Sequence, residues 1–238
     1  MKYNQYIKHL LTQNKSLIIA VFLAITYVLS FLHVFQRIKQ MSVYELFRCF
    51  SPPVISAAII IPCFLIMIDH GILFYSDPNV IIRCQNRSKW VFNHLVCLVF
   101  DSVIYSMYIT LLSISGVIFV SGVSHFKTGF IFLFFIYIIG FYCIGVVYIL
   151  LTFLSKKIIA FSMIVFICLL DINLYPPIII MERVFPSYDY LQNNISVNLS
   201  NKFLHSVSYF IGIIIISVLL HLVSTKNKDL MGGNHYKK

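Results

Sequence analysis

Long apolar runs separated by short polar connections dominate the chain. Six runs lie at roughly 17–36, 54–75, 90–120, 129–154, 158–175 and 204–224. Each is close to or above the about 20 apolar residues that a helix needs to cross a bilayer core. Because backbone groups in lipid must pair within their own segment, and the alternating pattern of barrel strands is absent, the runs predict helices. The predicted fold class is therefore all-α, a polytopic membrane protein with six transmembrane helices.

The two ends of the chain differ from the apolar runs between them. Residues 1–16 carry apolar side chains at near-helical spacing with lysines between them, which predicts an amphipathic helix at the membrane interface. A frayed basic tail is the alternative. Residues 225–238 are polar, basic and contain glycine, so they predict a flexible cytoplasmic tail. The transmembrane domain then covers residues 17–224.

The connection before the last run has a broken pattern. Pro176 and Pro177 interrupt the fifth run, and the apolar stretch 178–181 after them is too short to cross a membrane. Polar residues follow as far as Lys202. A short apolar piece next to prolines predicts a re-entrant or interfacial segment. The alternative is that the fifth span simply continues to Met181.

The overall composition agrees with a membrane protein. Hydrophobic residues make up 60% of the chain, charged residues only 11%, and the mean hydropathy is +0.90. A soluble domain of this length needs more charge to cover its surface. The six cysteines form no C-x-x-C pair, so they predict neither a disulfide framework nor a zinc site.

The distribution of positive charge predicts the orientation. If both termini are inside, twelve of the 18 Lys and Arg residues fall in inner segments and six in outer ones. Inner loops carry the excess of Lys and Arg, so both termini are predicted to be cytoplasmic in a multi-pass plasma-membrane protein. The net charge of +10 then reflects this topology and attraction to anionic membrane lipids, and no nucleic-acid partner is expected.

No motif for catalysis occurs in the sequence. It lacks H-E-x-x-H, G-x-S-x-G and a glycine-rich phosphate loop, and its eight histidines are scattered singly. We therefore predict no catalytic residue, no metal ligand and no cofactor bound by this chain. On this interpretation the chain is not an enzyme by itself.

Four polar residues inside the apolar runs are candidates for function, because charge in a membrane is costly. Asp69 and His94 both lie roughly 6–10 Å from the predicted inner boundary, at about 1.5 Å per residue. One interpretation is a contact between them across neighbouring helices, and the other is that lipid headgroups solvate each one. Asp101 lies near the middle of the third run, where it is protonated, hydrogen-bonded to Tyr or Ser, or facing a wet cavity. Asp171 lies toward the outer end of the fifth run, and either acid could serve a proton-coupled carrier.

The connection between the second and third runs predicts a short helix at about 77–88. Ser76 or Asp77 supplies a polar cap, and Pro78 follows at the first helical position. The segment ends on Lys89 and Trp90, a pair suited to the membrane–water boundary. A short cytoplasmic helix between two spans fits a docking element for a soluble partner, while a plain basic connector is the alternative.

These features together resemble the permease subunits of type-2 ABC exporters. The similarity lies in the interfacial N-terminal helix, the six spans, the basic second connection and the broken segment before the last span. In small exporter permeases of low-GC Gram-positive bacteria, the second connection often reads like Val80-Ile81-Ile82-Arg83 followed by Asn86-Arg87-Ser88-Lys89-Trp90. Such systems are associated with export of peptides, bacteriocins or lantibiotics and with immunity to them.

The resemblance implies a division of labour between chains. A separate ATP-binding cassette ATPase, holding ATP and Mg, would dock on the second connection. A second permease subunit, identical or paralogous, would complete a transport path for an amphipathic peptide or lipid-like substrate. The docking residues implied are Pro78, Val80, Ile81, Arg83, Cys84 and Arg87. The alternatives are a proton-coupled secondary carrier and a non-transporting immunity or scaffold subunit.

Overall fold

A computed structural model describes residues 14–34, 55–75, 87–121, 129–173 and 197–227. Within these ranges the chain forms six α-helices and one π-helical turn, Ser56–Ile60, and contains no strand. The helices are α1 (Asn14–Val34), α2 (Ile61–Tyr75), α3 (Arg87–Ser121), α4 (Gly129–Leu154), α5 (Lys157–Asn173) and α6 (Val197–Asn227). The all-α fold class is thus confirmed for the part of the chain that is described.

Contacts between helices establish their relative directions. Trp90 near the start of α3 lies 5.7 Å from Phe153 at the end of α4, and Tyr105 further along α3 lies 5.0 Å from Phe141 earlier in α4. These two helices are therefore antiparallel. The Trp90 end, as we name it, is the end of the bundle where α2, α4 and α6 finish and α3 and α5 begin.

Helix α4 is the centre of the bundle and packs against α2, α3, α5 and α6. Three aromatic rings from α2, α3 and α4 meet in its middle, with Phe64 lying 5.1 Å from Tyr105 and 4.8 Å from Phe141. Aromatic pairs at these spacings stabilise a core beyond their buried area. The three-ring cluster fixes α2 and α3 against α4.

The π-helical turn precedes a proline in the second apolar run. In a regular α-helix the N–H of residue 62 would bond the carbonyl of Ala58, but Pro62 has no N–H. Instead of the usual spacing, the N–H of Ile61 donates to the carbonyl of Ser56, five residues back. A wider turn accommodates the proline without ending the helix. The run 54–75 was predicted as a helix, and this local widening was not foreseen.

Apolar side chains cover the outside of the bundle as well as its core. They recur every three or four residues on the outer faces of α1 and α6, as at Leu17, Val21, Ile25 and Val28, and at Ile211, Ile215, Leu219 and Val223. Among the described residues, three segments are long and apolar enough to cross a membrane: Ser88–Gly116, Phe134–Leu154 and Val207–Ser224. Such a surface is unfavourable in water, and the chain is a membrane protein.

The helix bounds agree with five of the apolar runs to within a few residues, but α6 differs. The sequence pattern predicted a polar connection as far as Lys202, whereas α6 begins at Val197. A helix pairs its own backbone and can project beyond the apolar core, so hydropathy detects only its apolar part. The predicted re-entrant piece and most of the terminal segments 1–16 and 225–238 lie outside the described residues.

A hydroxyl group from α3 contributes to the packing of α2. Tyr105 donates a hydrogen bond of 2.6 Å to the carbonyl of Ile60, the last residue of the π-helical turn. We expect Tyr105→Phe to lower the free energy of unfolding by about 1 kcal/mol, the usual net value of such a bond. Thermal unfolding in detergent measures this, with Tyr142→Phe on α4 as control. Equal midpoints for the two variants would contradict a stabilising role for this bond.

Candidate functional site

An ion pair and a hydrogen bond, both made by Asp69, join three helices at the Trp90 end. One carboxylate oxygen of Asp69, on α2, lies 2.9 Å from the Nζ of Lys157 on α5. The other oxygen accepts a hydrogen bond of 2.6 Å from the hydroxyl of Tyr148 on α4. The two partners use different oxygens, so both contacts exist at once. Asp69 therefore connects α2 to α4 and α5 together.

A cluster of aromatic rings and imidazoles lies at the same end of the bundle. Trp90, the single tryptophan, is 4% exposed and lies 5.6 Å from His94, 5.7 Å from Phe153 and 6.4 Å from His221, measured between ring centroids. Phe153 meets His221 edge to face at 4.9 Å. This Trp90 cluster ties the start of α3 to the ends of α4 and α6.

The structure adds to one expectation from the sequence and corrects another. Trp90, which was assigned to the membrane–water boundary, is buried within the bundle because α4 and α6 cover its ring, and its depth in the membrane stays a prediction. His94 was offered either as a partner of Asp69 or as a group solvated by headgroups. The solvation interpretation is wrong for His94, which is 4% exposed. The partners found for Asp69 are Tyr148 and Lys157.

Asp101 lies in the interior of the bundle. It is 2% exposed and lies one turn before Tyr105 on α3. Buried hydroxyl side chains recur every three or four residues along the same helix, at Ser102, Ser106, Thr110 and Ser113. Those at 102 and 113 donate to the carbonyl one turn back. This gives α3 a polar stripe within an otherwise apolar bundle.

The opposite end of the bundle has a groove between α1 and α3. Tyr27 and Ser113 form a hydrogen bond of 3.2 Å between their hydroxyls beside it. The groove has a volume of about 290 Å³. Its lining residues are Ala24, Tyr27, Val28, Leu112, Ser115, Gly116 and Phe119. With mostly apolar walls, it fits an apolar chain better than a polar molecule.

The predicted docking segment falls almost wholly between α2 and α3, in residues that the structure does not describe. Five of its six named residues, Pro78, Val80, Ile81, Arg83 and Cys84, lie outside the described residues, and Arg87 is the first residue of α3. Asp171 belongs to the last turn of α5. The docking role of the segment therefore stays a prediction, as does a role for Asp171.

Sequence reasoning named Asp69 and His94 but missed most of the residues around them. Lys157 was counted only as a charge that sets topology, and Tyr148, Phe153 and His221 were not singled out. A signal existed, because in the predicted topology Asp69, Lys157 and His221 all fall within a few turns of the same boundary. Hydropathy gives each residue a depth in the membrane, but it does not say which helices are neighbours.

In the part of the chain that is described, no group of three or more His, Cys, Asp or Glu side chains could hold a metal ion. Comparison of the chain with models of protein families, with curated proteins and with solved structures finds no match.

Proposed function

We propose that this chain is the membrane-spanning permease subunit of an ATP-driven exporter. Six helices cross the membrane with both termini in the cytoplasm, and the Trp90 end faces the cytoplasm. The observation that carries the proposal is that the helices on both sides of the connection 76–86 contact the rest of the bundle next to that connection. This connection joins α2 to α3, and both helices are bound to the rest of the bundle at that end, through Asp69 and through Trp90.

Such an arrangement suits a chain that receives force from outside. A push on residues 76–86 would act on the end of α2 and the start of α3 at once. The contacts of Asp69 reach α4 and α5, and those of Trp90 reach α4 and α6. The ATPase partner, with its ATP and Mg, would supply the force. A second permease subunit would complete the path for an amphipathic peptide or lipid-like substrate.

Positive charge supports the orientation. Lys89, Lys156 and Lys157 are exposed at the Trp90 end. An excess of lysine next to spans marks the cytoplasmic side. Anionic lipids of the inner leaflet would be attracted to the same surface.

The test is copurification of the tagged chain from membranes of the cells that make it. We expect an ATP-binding cassette ATPase to copurify and the preparation to hydrolyse MgATP. The triple variant Val80→Asp, Arg83→Glu, Arg87→Glu should lose at least nine-tenths of the bound ATPase. Lys156→Glu is the control, because it reverses an exposed charge at the same end without touching the docking segment.

Each outcome decides a part of the proposal. If no ATPase copurifies with the unaltered chain, the exporter function is wrong. If the triple variant and Lys156→Glu retain equal amounts of the ATPase, docking through the segment 77–88 is wrong.

A proton-coupled carrier is a second candidate, favoured by one observation. Asp101 is buried in the middle of α3, on a helix that also carries a stripe of buried hydroxyls. Acids at such depth are rare unless they serve a function. In liposomes with an imposed pH gradient, the chain alone would then pass protons, and Asp101→Asn would abolish the flux. Equal flux with and without the carboxylate would exclude this candidate.

A further inference from the structure

Asp69 contacts both helices that meet at the α4–α5 turn, Tyr148 on α4 and Lys157 on α5. Only Ser155 and Lys156 separate α4 from α5. Ser155 donates both its N–H and its hydroxyl to the carbonyl of Leu151, each at 2.8 Å, and the N–H of Ala160 bonds the carbonyl of Lys156 at 3.0 Å. These bonds complete the end of α4 and begin α5, so that only a two-residue turn lies between the two helices. Asp69 contacts a residue on each side of this turn, Tyr148 before it and Lys157 after it.

The burial of the three groups distinguishes this contact from an ordinary surface pair. Tyr148 is fully buried, and the side chain of Asp69 is only 15% exposed, whereas that of Lys157 is 45% exposed. An exposed ion pair contributes little because water screens it. A carboxylate mostly withdrawn from water holds its partners more firmly, since losing them leaves its charge uncompensated. The hydroxyl of Tyr148 adds a donor whose ring cannot move without disturbing the core.

The position of Asp69 along α2 gives the contact a mechanical consequence. Asp69 lies six residues before Tyr75, where α2 ends and the connection 76–86 begins. At about 1.5 Å per residue this is roughly 9 Å along the helix axis. A displacement applied to the connection reaches Asp69 before it reaches the aromatic cluster in the middle of the bundle.

We propose that Asp69 is a positioning residue that passes movement of the connection 76–86 to α5 through Lys157 and Tyr148. This proposal rests on the proposed function, because that function supplies the movement. With the pair intact, the end of α2 and the start of α5 move as one body. Without it, α2 moves and α5 stays.

Hydrogen exchange on the copurified complex tests this coupling. In the unaltered complex, MgATP with vanadate should change exchange both at 66–75, the end of α2, and at 157–163, the start of α5. In Asp69→Asn the change at 66–75 should remain and the change at 157–163 should fall at least fivefold. The charge swap Asp69→Lys with Lys157→Asp should recover at least half of the lost response, which a merely disturbed fold would not do.

Neighbouring variants control for local damage. Lys157→Gln should reproduce the loss, while Lys156→Gln, at the exposed residue beside it, should respond as the unaltered complex does. Fluorescence of Trp90, measured on each variant purified without the ATPase, reports whether the bundle end is still folded, because Trp90 is the single tryptophan of this chain and is buried. A full response at 157–163 in Asp69→Asn overturns the proposal.

A nucleotide-free measurement separates this proposal from the function on which it rests. If MgATP changes nothing at 66–75 in the unaltered complex, the exporter function fails, and exchange without nucleotide then decides about Asp69. Exchange at 157–163 should rise at least threefold in Asp69→Asn and in Lys157→Gln relative to Lys156→Gln. If the three variants exchange equally, Asp69 does not hold the start of α5.

Discussion

Replacing Phe141 by alanine is expected to lower the free energy of unfolding by about 3 kcal/mol, at the low end of the range for Phe→Ala in a core. The ring is fully buried at the place where α2, α3 and α4 meet, 4.8 Å from Phe64 and 5.0 Å from Tyr105. Its removal leaves a cavity that the neighbouring rings cannot fill without moving the helices apart.

The expected value is at the low end because the solvent is lipid. In water, a phenylalanine that leaves the core loses both its packing and its shelter from solvent. In a bilayer, separated helices still expose the ring to hydrocarbon, so only the packing part is lost. The size of the effect therefore measures close contact rather than hydrophobic transfer.

A phenylalanine on the outer surface provides the matched control. Phe166 on α5 is 60% exposed, so Phe166→Ala should change stability by less than about 0.5 kcal/mol, as for surface substitutions generally. Both variants can be measured in the same detergent by thermal unfolding followed through Trp90 fluorescence. If Phe141→Ala and Phe166→Ala unfold at the same temperature, the aromatic cluster does not hold the bundle together.

The same contrast explains how much of the fold could be predicted from the sequence. Hydropathy located α3, α4 and α5 to within a few residues, because a membrane helix is recognised by the length of its apolar run. It did not distinguish Phe141 from Phe166, since both are apolar residues inside apolar runs. In a soluble protein the polar face of each helix marks the outside, and here that signal is missing.

The hydropathy pattern also did not predict the π-helical turn in the second apolar run. Pro62 lies inside an apolar run that otherwise reads as an uninterrupted span, and its effect is a π-helical turn rather than a break. The carbonyl of Ile60, at the end of this turn, accepts a hydrogen bond from Tyr105 on the neighbouring helix α3. That bond comes from a residue 45 positions away in the sequence and cannot be read from the run itself.

The sequence predicted only part of the candidate site, because the partners of Asp69 come from distant parts of the chain. Asp69 stood out because a charge inside an apolar run is costly, which is a property of the residue alone. Its partners Tyr148 and Lys157 are 79 and 88 residues later in the chain, and an ordinary tyrosine and a loop lysine carry no such signal. Contacts between side chains on different helices depend on which helices are neighbours and on how they are aligned. Hydropathy contains neither kind of information.

Close packing between α2, α3 and α4 leads to the second large effect, at Gly145. A Cβ added there would lie 2.6 Å and 3.0 Å from the two end methyls of Leu98 and 3.1 Å from the Cδ1 of Ile68. Alanine should be tolerated, because a flexible leucine end can shift and alanine favours the helix by about 1 kcal/mol. Gly145→Leu should instead destabilise the protein by about 3 kcal/mol, since its branch has no space between the three helices.

Gly212 on α6 supplies the control, because a Cβ added there meets nothing within 4 Å. Gly212→Leu should be neutral or slightly stabilising, so the difference between the two leucine variants isolates the packing cost at Gly145. Since Gly145 is one turn before Tyr148, and Ile68 adjoins Asp69, the inserted leucine should also push α2 away from α4 and weaken the Asp69 contacts. Gly145→Leu should therefore raise hydrogen exchange at the start of α5, and unchanged exchange there would mean that α2 and α4 are not held together along this face.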